Sequence, residues 1–217
     1  MKYQVLCFDM DGTIMKTDVG LTYAHREASK VMNIQSDAIE NPSNFIGPSN
    51  QYFCEKYLNL NEEECIRYDE LFREFYLDKG VYMKEIYPGM LELMRDAKAK
   101  GYKVYICTAK DQKAANHSAK EEGLLEHCDG IYGSLGVADE KDAILRRLLE
   151  SEEIAPEKAV MIGDRFTDLN GGKVCGTKTI GVLYGYGTRE EVEGCEPDYI
   201  AKTVSELREH LLDEAAQ

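Results

Sequence analysis

The sequence predicts an α/β fold: a doubly wound parallel sheet interrupted after its first strand by a block of helices. Three observations carry this reading. The runs Lys103 to Cys107, Ala159 to Ile162 and Thr179 to Leu183 are short, β-branched and nearly continuous in apolar residues, the pattern of parallel strands covered on both faces. Segments of helical periodicity alternate with them. The opening apolar run, Tyr3 to Phe8, is instead followed by residues 17 to 82, which read as helix broken only by loops, so the predicted division is a core of residues 1–16 and 83–217 with an all-α insert at 17–82.

Within the insert, Asp18 reads as a helix cap, and Leu21, Ala24, Ala28, Val31 and Met32 recur at three- and four-residue spacing. Phe45-Ile46-Gly47-Pro48-Ser49-Asn50 breaks the pattern as a loop, and Gln51 to Leu58 follows as a short helix. Asn61, ahead of three glutamates, opens a longer helix whose apolar face is Cys65, Tyr68, Leu71, Phe72, Phe75 and Tyr76. Beyond it Pro88 suits a first helical position, Met90, Leu91, Met94 and Ala97 form a stripe, and Gly101 suits the position past the helix end. Further helices are expected over 111–122, 140–150 and 166–175, a weaker strand over 128–132, and a final helix at the capping pattern Thr203-Val204-Ser205-Glu206. Gly185-Tyr186-Gly187 begins like a dinucleotide fingerprint, but Glu190 stands where the third glycine is needed, and we read it as a turn.

At 217 residues with 26 basic and 40 acidic side chains, the chain carries a formal charge of −14, which repels nucleic acid and anionic lipid. A small phosphorylated metabolite fits only if a metal ion or a few local cations reverse the field inside a site, which makes a divalent cation attractive. The seven cysteines are odd in number and contain no Cys-x-x-Cys pair; His127-Cys128 matches no zinc spacing. With no export signal before the first strand and no apolar run of membrane-spanning length, a reducing cytoplasm is expected. Nothing in the sequence separates a monomer from a homodimer.

The chemistry concentrates at predicted strand ends, where open α/β sheets bind ligands. Asp9 and Asp11 stand two residues apart in Phe8-Asp9-Met10-Asp11-Gly12-Thr13, although Asp-x-Asp-Gly is equally the composition of a plain turn. Thr108 closes the run ending at Cys107, so its hydroxyl and the N–H of Ala109 would reach a phosphoryl oxygen at a helix N-terminus; a simple N-cap is the alternative. Asp164 and Asp168, four apart after Met161-Ile162-Gly163, are equally explained as helix-start acids. Lys141, in Asp139-Glu140-Lys141-Asp142, would by itself be a surface ion pair.

Taken together, these residues resemble the haloacid dehalogenase superfamily of aspartate-dependent phosphohydrolases: Asp9-Met10-Asp11-Gly12-Thr13 is similar to its first motif, Thr108 to its second, Lys141 to its third and Gly163-Asp164-Arg165-Phe166-Thr167-Asp168 to its fourth. Phe45-Ile46-Gly47-Pro48, Tyr87-Pro88-Gly89 and the segment Ile180 to Gly187 resemble its phosphoglycolate phosphatase-like and 5′-nucleotidase-like branch, which carries a helical cap after the first strand. Ala109 departs from the serine common after the motif-two residue, and Leu169-Asn170-Gly171-Gly172 from the usual apolar pair and Gly-Ala.

The resemblance implies a Rossmann-like core with Mg²⁺ held by Asp9, the Asp11 carbonyl and Asp164, and with Asp168 in support behind them. It further implies Asp9 as the nucleophile forming an aspartyl phosphate, Asp11 as general acid and base, and Lys141, Thr108 and the N–H groups around Met10 and Ala109 on the phosphoryl group. Gly47, Ser49, Asn50 and Arg73 are the cap residues expected to meet substrate. A phosphomutase of the same superfamily is the near alternative. A phospho-accepting receiver domain shares the parts list but places its acceptor on a later strand and has no use for a cap.

Overall fold

The computed structural model describes residues 3–136 and 140–212, so Asp139 lies outside the described residues. Strands β1 (Val5–Phe8), β4 (Lys103–Asp111), β5 (Gly130–Ser134), β6 (Ala159–Gly163), β7 (Lys178–Val182) and β8 (Tyr199–Ala201) form one six-stranded sheet in the order β5-β4-β1-β6-β7-β8. Every pairing in it is parallel. The chain fills one half of the sheet outward from β1 through β4 and β5, then crosses to build β6, β7 and β8 on the other. The order therefore reverses at β1, and the carboxyl end of β1 opens onto the crevice where such folds bind ligands.

Strand alternation explains why both faces are covered. Leu6 and Phe8 join a cluster with Leu93 and Met94 of α4 (Met90–Ala99), Ala115 of α5 (Gln112–Glu121) and Leu207 of α9 (Val204–Leu212). Val5 and Cys7, offset by one, pack on the opposite side with Ile144, Leu145 and Leu148 of α6 (Lys141–Ser151) and Cys175 of α7 (Phe166–Cys175). All four β1 residues are buried, which is why the run shows no polar alternation. The short α8 (Arg189–Gly194) precedes β8.

Between the two-residue strands β2 (Met15–Lys16) and β3 (Glu85–Ile86), which pair antiparallel, lie α1 (Asp18–Met32), α2 (Asn50–Tyr57) and α3 (Glu62–Asp78). These helices bury their own cluster, including Ala24, Ala28, Phe53, Tyr68 and Phe72, and meet Ala114 of α5. Asn61 and Glu64 close a reciprocal capping box at the start of α3.

Several local expectations are corrected. Strand β4 does not stop at Cys107 but runs to Asp111 through a register shift, so Thr108 and Ala109 sit on a bulged strand end; Asp111, not Thr108, caps α5 by accepting from Lys113 and Ala114 N–H. Gly89, in a left-handed conformation at φ 86°, is the N-cap of α4, which leaves Pro88 outside the helix. Thr17 rather than Asp18 is the N-cap of α1, and Val31, placed on its apolar stripe by spacing, is 53% exposed in its last turn. The weak strand expected over 128–132 occupies Gly130–Ser134.

Candidate active site

At the end of β1 the chain turns sharply at Gly12, whose φ of 86° favours glycine and whose Cα faces Asp164 closely enough that a Cβ would lie 2.4 Å from Oδ2. This turn brings the first acidic pair against the end of β6. Carboxylate oxygens of Asp9, Asp164 and Asp168 lie within 4.8 Å of one another, and all three residues are buried. Into the cluster projects Lys141 from the first turn of α6, its Nζ 2.7 Å from Asp9 Oδ1, 2.8 Å from Asp168 Oδ1 and 3.1 Å from the Cys107 carbonyl. Lys141 is 3% exposed, the opposite of a solvated surface pair.

The electrostatics follow from crowding. Burial, with Asp168 and Asp11 adding repulsion against the pull of Lys141, raises Asp9 to about 7. Burial, then Asp168 and Asp9, lift Asp164 well above the ordinary carboxylate range. Burial works to lower the Lys141 ammonium, but Asp168 and Asp9 outweigh it and hold the proton more tightly than usual. Three buried carboxylates facing one ammonium leave a surplus of negative charge and hard oxygen donors, a donor set that fits a small divalent cation such as Mg²⁺.

Asp164 is cradled from the far side by Gly185-Tyr186-Gly187. The Tyr186 N–H donates to Asp164 Oδ2 at 2.6 Å, and a Cβ on Gly185 would lie 2.4 Å from both Asp164 Oδ2 and the Gly12 carbonyl. Thr13 donates to Asp164 Oδ1 at 3.4 Å. The tyrosine also reaches the helical layer: its hydroxyl accepts the N–H groups of Thr17 and Asp18 at 2.8 and 3.0 Å and donates to Asp18 Oδ1. The start of α1, which lacks a side-chain cap of its own, is thus capped by the loop that holds Asp164.

Asp11 faces the cavity rather than the carboxylate cluster. Its Oδ2 is 3.0 Å from Lys110 Nζ, its Oδ1 has no hydrogen-bond partner among the described residues, and Lys110 donates in turn to the Tyr76 hydroxyl of α3 at 2.7 Å. The Lys110 ammonium, 4% exposed at its side chain, is disfavoured by burial, but Asp11 and Tyr76 outweigh this and raise its proton affinity. Thr108 is 1% exposed, its Oγ1 accepting from the Lys110 N–H. Met10 turns its side chain into the core, and its carbonyl accepts from the N–H groups of Ile14 and Met15.

A cavity of about 100 Å³ extends from Asp9, Asp11, Thr108, Ala109 and Lys141 toward α3 and the 45–50 loop. Gly47, Ser49, Asn50 and Arg73 all border it. Each polar one is engaged within the protein: Ser49 Oγ accepts from Tyr52 N–H as the cap of α2, Asn50 donates to Asp69 Oδ1, and Arg73 spans from Asp69 Oδ2 at 2.6 Å to Asp111 Oδ2 at 2.7 Å. His25 also borders the cavity. It packs on Phe45, Phe53 and Phe72, takes part in a 3.1 Å hydrogen bond with Tyr68, and is held neutral by burial, which lowers it to about 3.

Lys110, Tyr76 and Tyr186 were not singled out by sequence. A lysine three residues past the expected strand end at Cys107 reads as solvated, and only the extension of β4 to Asp111 turns it inward. Tyr186 had a signal in its flanking glycines, whose purpose is close approach to Asp164 rather than a turn alone.

The haloacid dehalogenase-like hydrolase model matches residues 6–182. A 5′-nucleotidase from Pseudomonas aeruginosa is 30% identical over 97% of this chain and 96% of its own. The pyrophosphatase PpaX from Bacillus cereus is 28% identical over 95% of each. The crystal structure of a predicted phosphatase from Clostridium acetobutylicum superposes with a TM-score of 0.93 at 28% identity, covering 98% of this chain and all of that one. A match spanning β1 to β7, joined to a relative aligned almost end to end, means that the chain belongs to the haloacid dehalogenase-like hydrolase family.

Proposed function

We propose that this phosphate-ester hydrolase is a Mg²⁺-dependent phosphatase of small phosphate monoesters, of the phosphoglycolate or nucleotide type, working through an aspartyl phosphate on Asp9. The observation that carries the reading is the division of the two strand-one carboxylates. Asp9 is buried on Lys141 beside Asp164 and Asp168, whereas Asp11, also bordering the cavity, keeps outside that cluster and pairs one oxygen with Lys110.

In this reading Asp9 attacks phosphorus as the bond to the ester oxygen breaks, and Asp11 gives its proton to the departing alcohol. Asp11, now a carboxylate, takes a proton from water as that water attacks the same phosphorus. The Asp9–phosphorus bond breaks, inorganic phosphate leaves, and Asp11 is again protonated. Lys141, the Thr108 hydroxyl and main-chain N–H groups at Met10 and Ala109 offset charge on the transferring group. Asp9, the Asp11 carbonyl and Asp164 would hold Mg²⁺, with Asp168 steadying Lys141 behind them; the ion supplies positive charge against the phosphoryl oxygens.

Residues 17–82 serve as a cap that shields the ester from bulk water and selects it, Gly47, Ser49, Asn50 and Arg73 forming its inner surface. No helix among the described residues is long and apolar enough to cross a membrane. The seven cysteines are free thiols, which supports a reducing cytoplasm as the working compartment. The net negative charge supports a small metabolite, not nucleic acid, as partner. Asp9→Asn is expected to abolish hydrolysis of an aryl phosphate that depends on added Mg²⁺ while leaving the circular dichroism unchanged; undiminished turnover would sink the assignment.

A further inference from the structure

We infer that the site is built for phosphate monoesters whose leaving alcohol carries no charge of its own, and discriminates against carboxylate-bearing esters such as 2-phosphoglycolate and against pyrophosphate. The inference rests on the phosphatase reading and, of the two ester types it names, selects the nucleotide type over the phosphoglycolate type.

Beyond the Asp9 cluster and the Asp11–Lys110 pair, one further charged wall borders the cavity. Among the described residues, the charged side chains of that wall are Arg73, Asp69 and Asp111. Arg73 donates Nε to Asp69 at 2.6 Å and Nη1 to Asp111 at 2.7 Å, so one cation faces two carboxylates and the wall sums to −1. Asp69 is buried and also receives the Asn50 amide at 2.7 Å, which ties the arginine into a network spanning α2, α3 and the end of β4.

The other cations bordering the cavity are committed elsewhere, Lys110 to Asp11 and Lys141 to Asp9 and Asp168. His25 is uncharged. A leaving group that brought its own carboxylate or phosphate would therefore have to share Arg73 with two aspartates, beside a net negative charge, and like charges at close range repel. Phe45, Ile46, Phe72 and Leu77 also line the cavity, surfaces that accept a hydrocarbon or heterocyclic alcohol without desolvating a charge.

The test measures kcat/KM with Mg²⁺ for adenosine 5′-monophosphate, glycerol 1-phosphate and p-nitrophenyl phosphate against 2-phosphoglycolate and pyrophosphate. The uncharged-alcohol esters are expected to be favoured at least tenfold, about 1.4 kcal/mol. Asp69→Asn removes one carboxylate from Arg73 and is expected to raise the ratio of 2-phosphoglycolate to adenosine monophosphate turnover at least tenfold. Asp111→Asn, which keeps a capping side chain on α5, makes the same change where the first variant does not fold. Wild-type preference for 2-phosphoglycolate or pyrophosphate, or an unmoved ratio in the folded variants, overturns the inference while leaving the phosphatase reading intact. Absence of Mg²⁺-dependent hydrolysis of every ester, the aryl phosphate included, overturns the phosphatase reading itself.

Discussion

Protonation of His25 costs the helical layer stability, and the cost can be worked from its surroundings. Ring centroids of Phe45, Phe72 and Phe53 lie 4.2, 4.3 and 4.8 Å from the imidazole, and the residue is 1% exposed. Burial lowers the folded-state value to about 3. An unfolded histidine titrates near about 6.5, so the gap of roughly 3.5 pH units is worth about 5 kcal/mol in full. Because the folded value is the lower one, this stability is complete above about pH 6.5 and drains away as pH falls toward 3. By pH 5 the unfolded state has gained about 2 kcal/mol over the folded one from this residue.

Asp9 and Asp164 act with opposite sign. Their folded values are raised, so the penalty for burying them charged diminishes as pH falls. The histidine contribution is therefore isolated by comparison with His25→Phe, which keeps an aromatic ring among aromatic neighbours and removes only the titration and the Tyr68 bond. Urea unfolding of both proteins at pH 8 and pH 5, with chelator present, should show the variant gaining about 2 kcal/mol on the wild type between the two pH values. A gap that stays constant to within about 0.5 kcal/mol would refute the assignment of a buried neutral imidazole.

Three further outcomes follow from the site. Lys141→Met leaves Asp9 and Asp168 without their shared cation; activity should be lost and stability should fall by about 3–5 kcal/mol in chelator, measured by chemical denaturation. Gly185→Ala forces a methyl group to 2.4 Å from Asp164 Oδ2 and from the Gly12 carbonyl, so the Mg²⁺ concentration for half-activation should rise at least about tenfold, with a stability loss of about 1–3 kcal/mol; unchanged activation would show that the loop does not position Asp164. Lys110→Met removes the cation that orients Asp11. Because p-nitrophenolate leaves without a proton, turnover of an alkyl phosphate should fall roughly tenfold further than that of the aryl phosphate, and equal losses would count against a positioning role.

The strands that place the chemistry were legible because β1, β6 and β7 are buried on both faces, and burial writes itself as uninterrupted apolar runs. The early helical block was legible from the spacing of Leu21, Ala24 and Ala28 and from the Asn61 cap. What escaped was decided by tertiary contact. The paired strands β2 and β3 hold two residues each, too few to show any period, and β8 is three residues, Tyr199–Ala201, recruited to the sheet edge by pairing with β7. The run of β4 on to Asp111 depends on a register shift against β5 that no side-chain pattern encodes. Lys110, and the pairing of Arg73 with Asp111, were beyond local reading for one reason. A long basic side chain near a strand or on a helix is ordinarily solvated, and only the aspartates brought from elsewhere, Asp11 for one and Asp111 for the other, draw these two inward.

The central claim is that Asp9 carries the phosphoryl group while Asp11 moves the proton. It is tested most directly in Asp11→Asn with p-nitrophenyl phosphate and Mg²⁺, because the first step needs no acid for this leaving group whereas the second still needs a base. Acid-quenched protein, digested and mapped by mass spectrometry, should carry a hydroxylamine-labile phosphoryl group on the peptide containing Asp9, with sustained turnover abolished. A phosphoryl group on any other residue, or full turnover by the variant with Asp9 unmodified, would contradict the account.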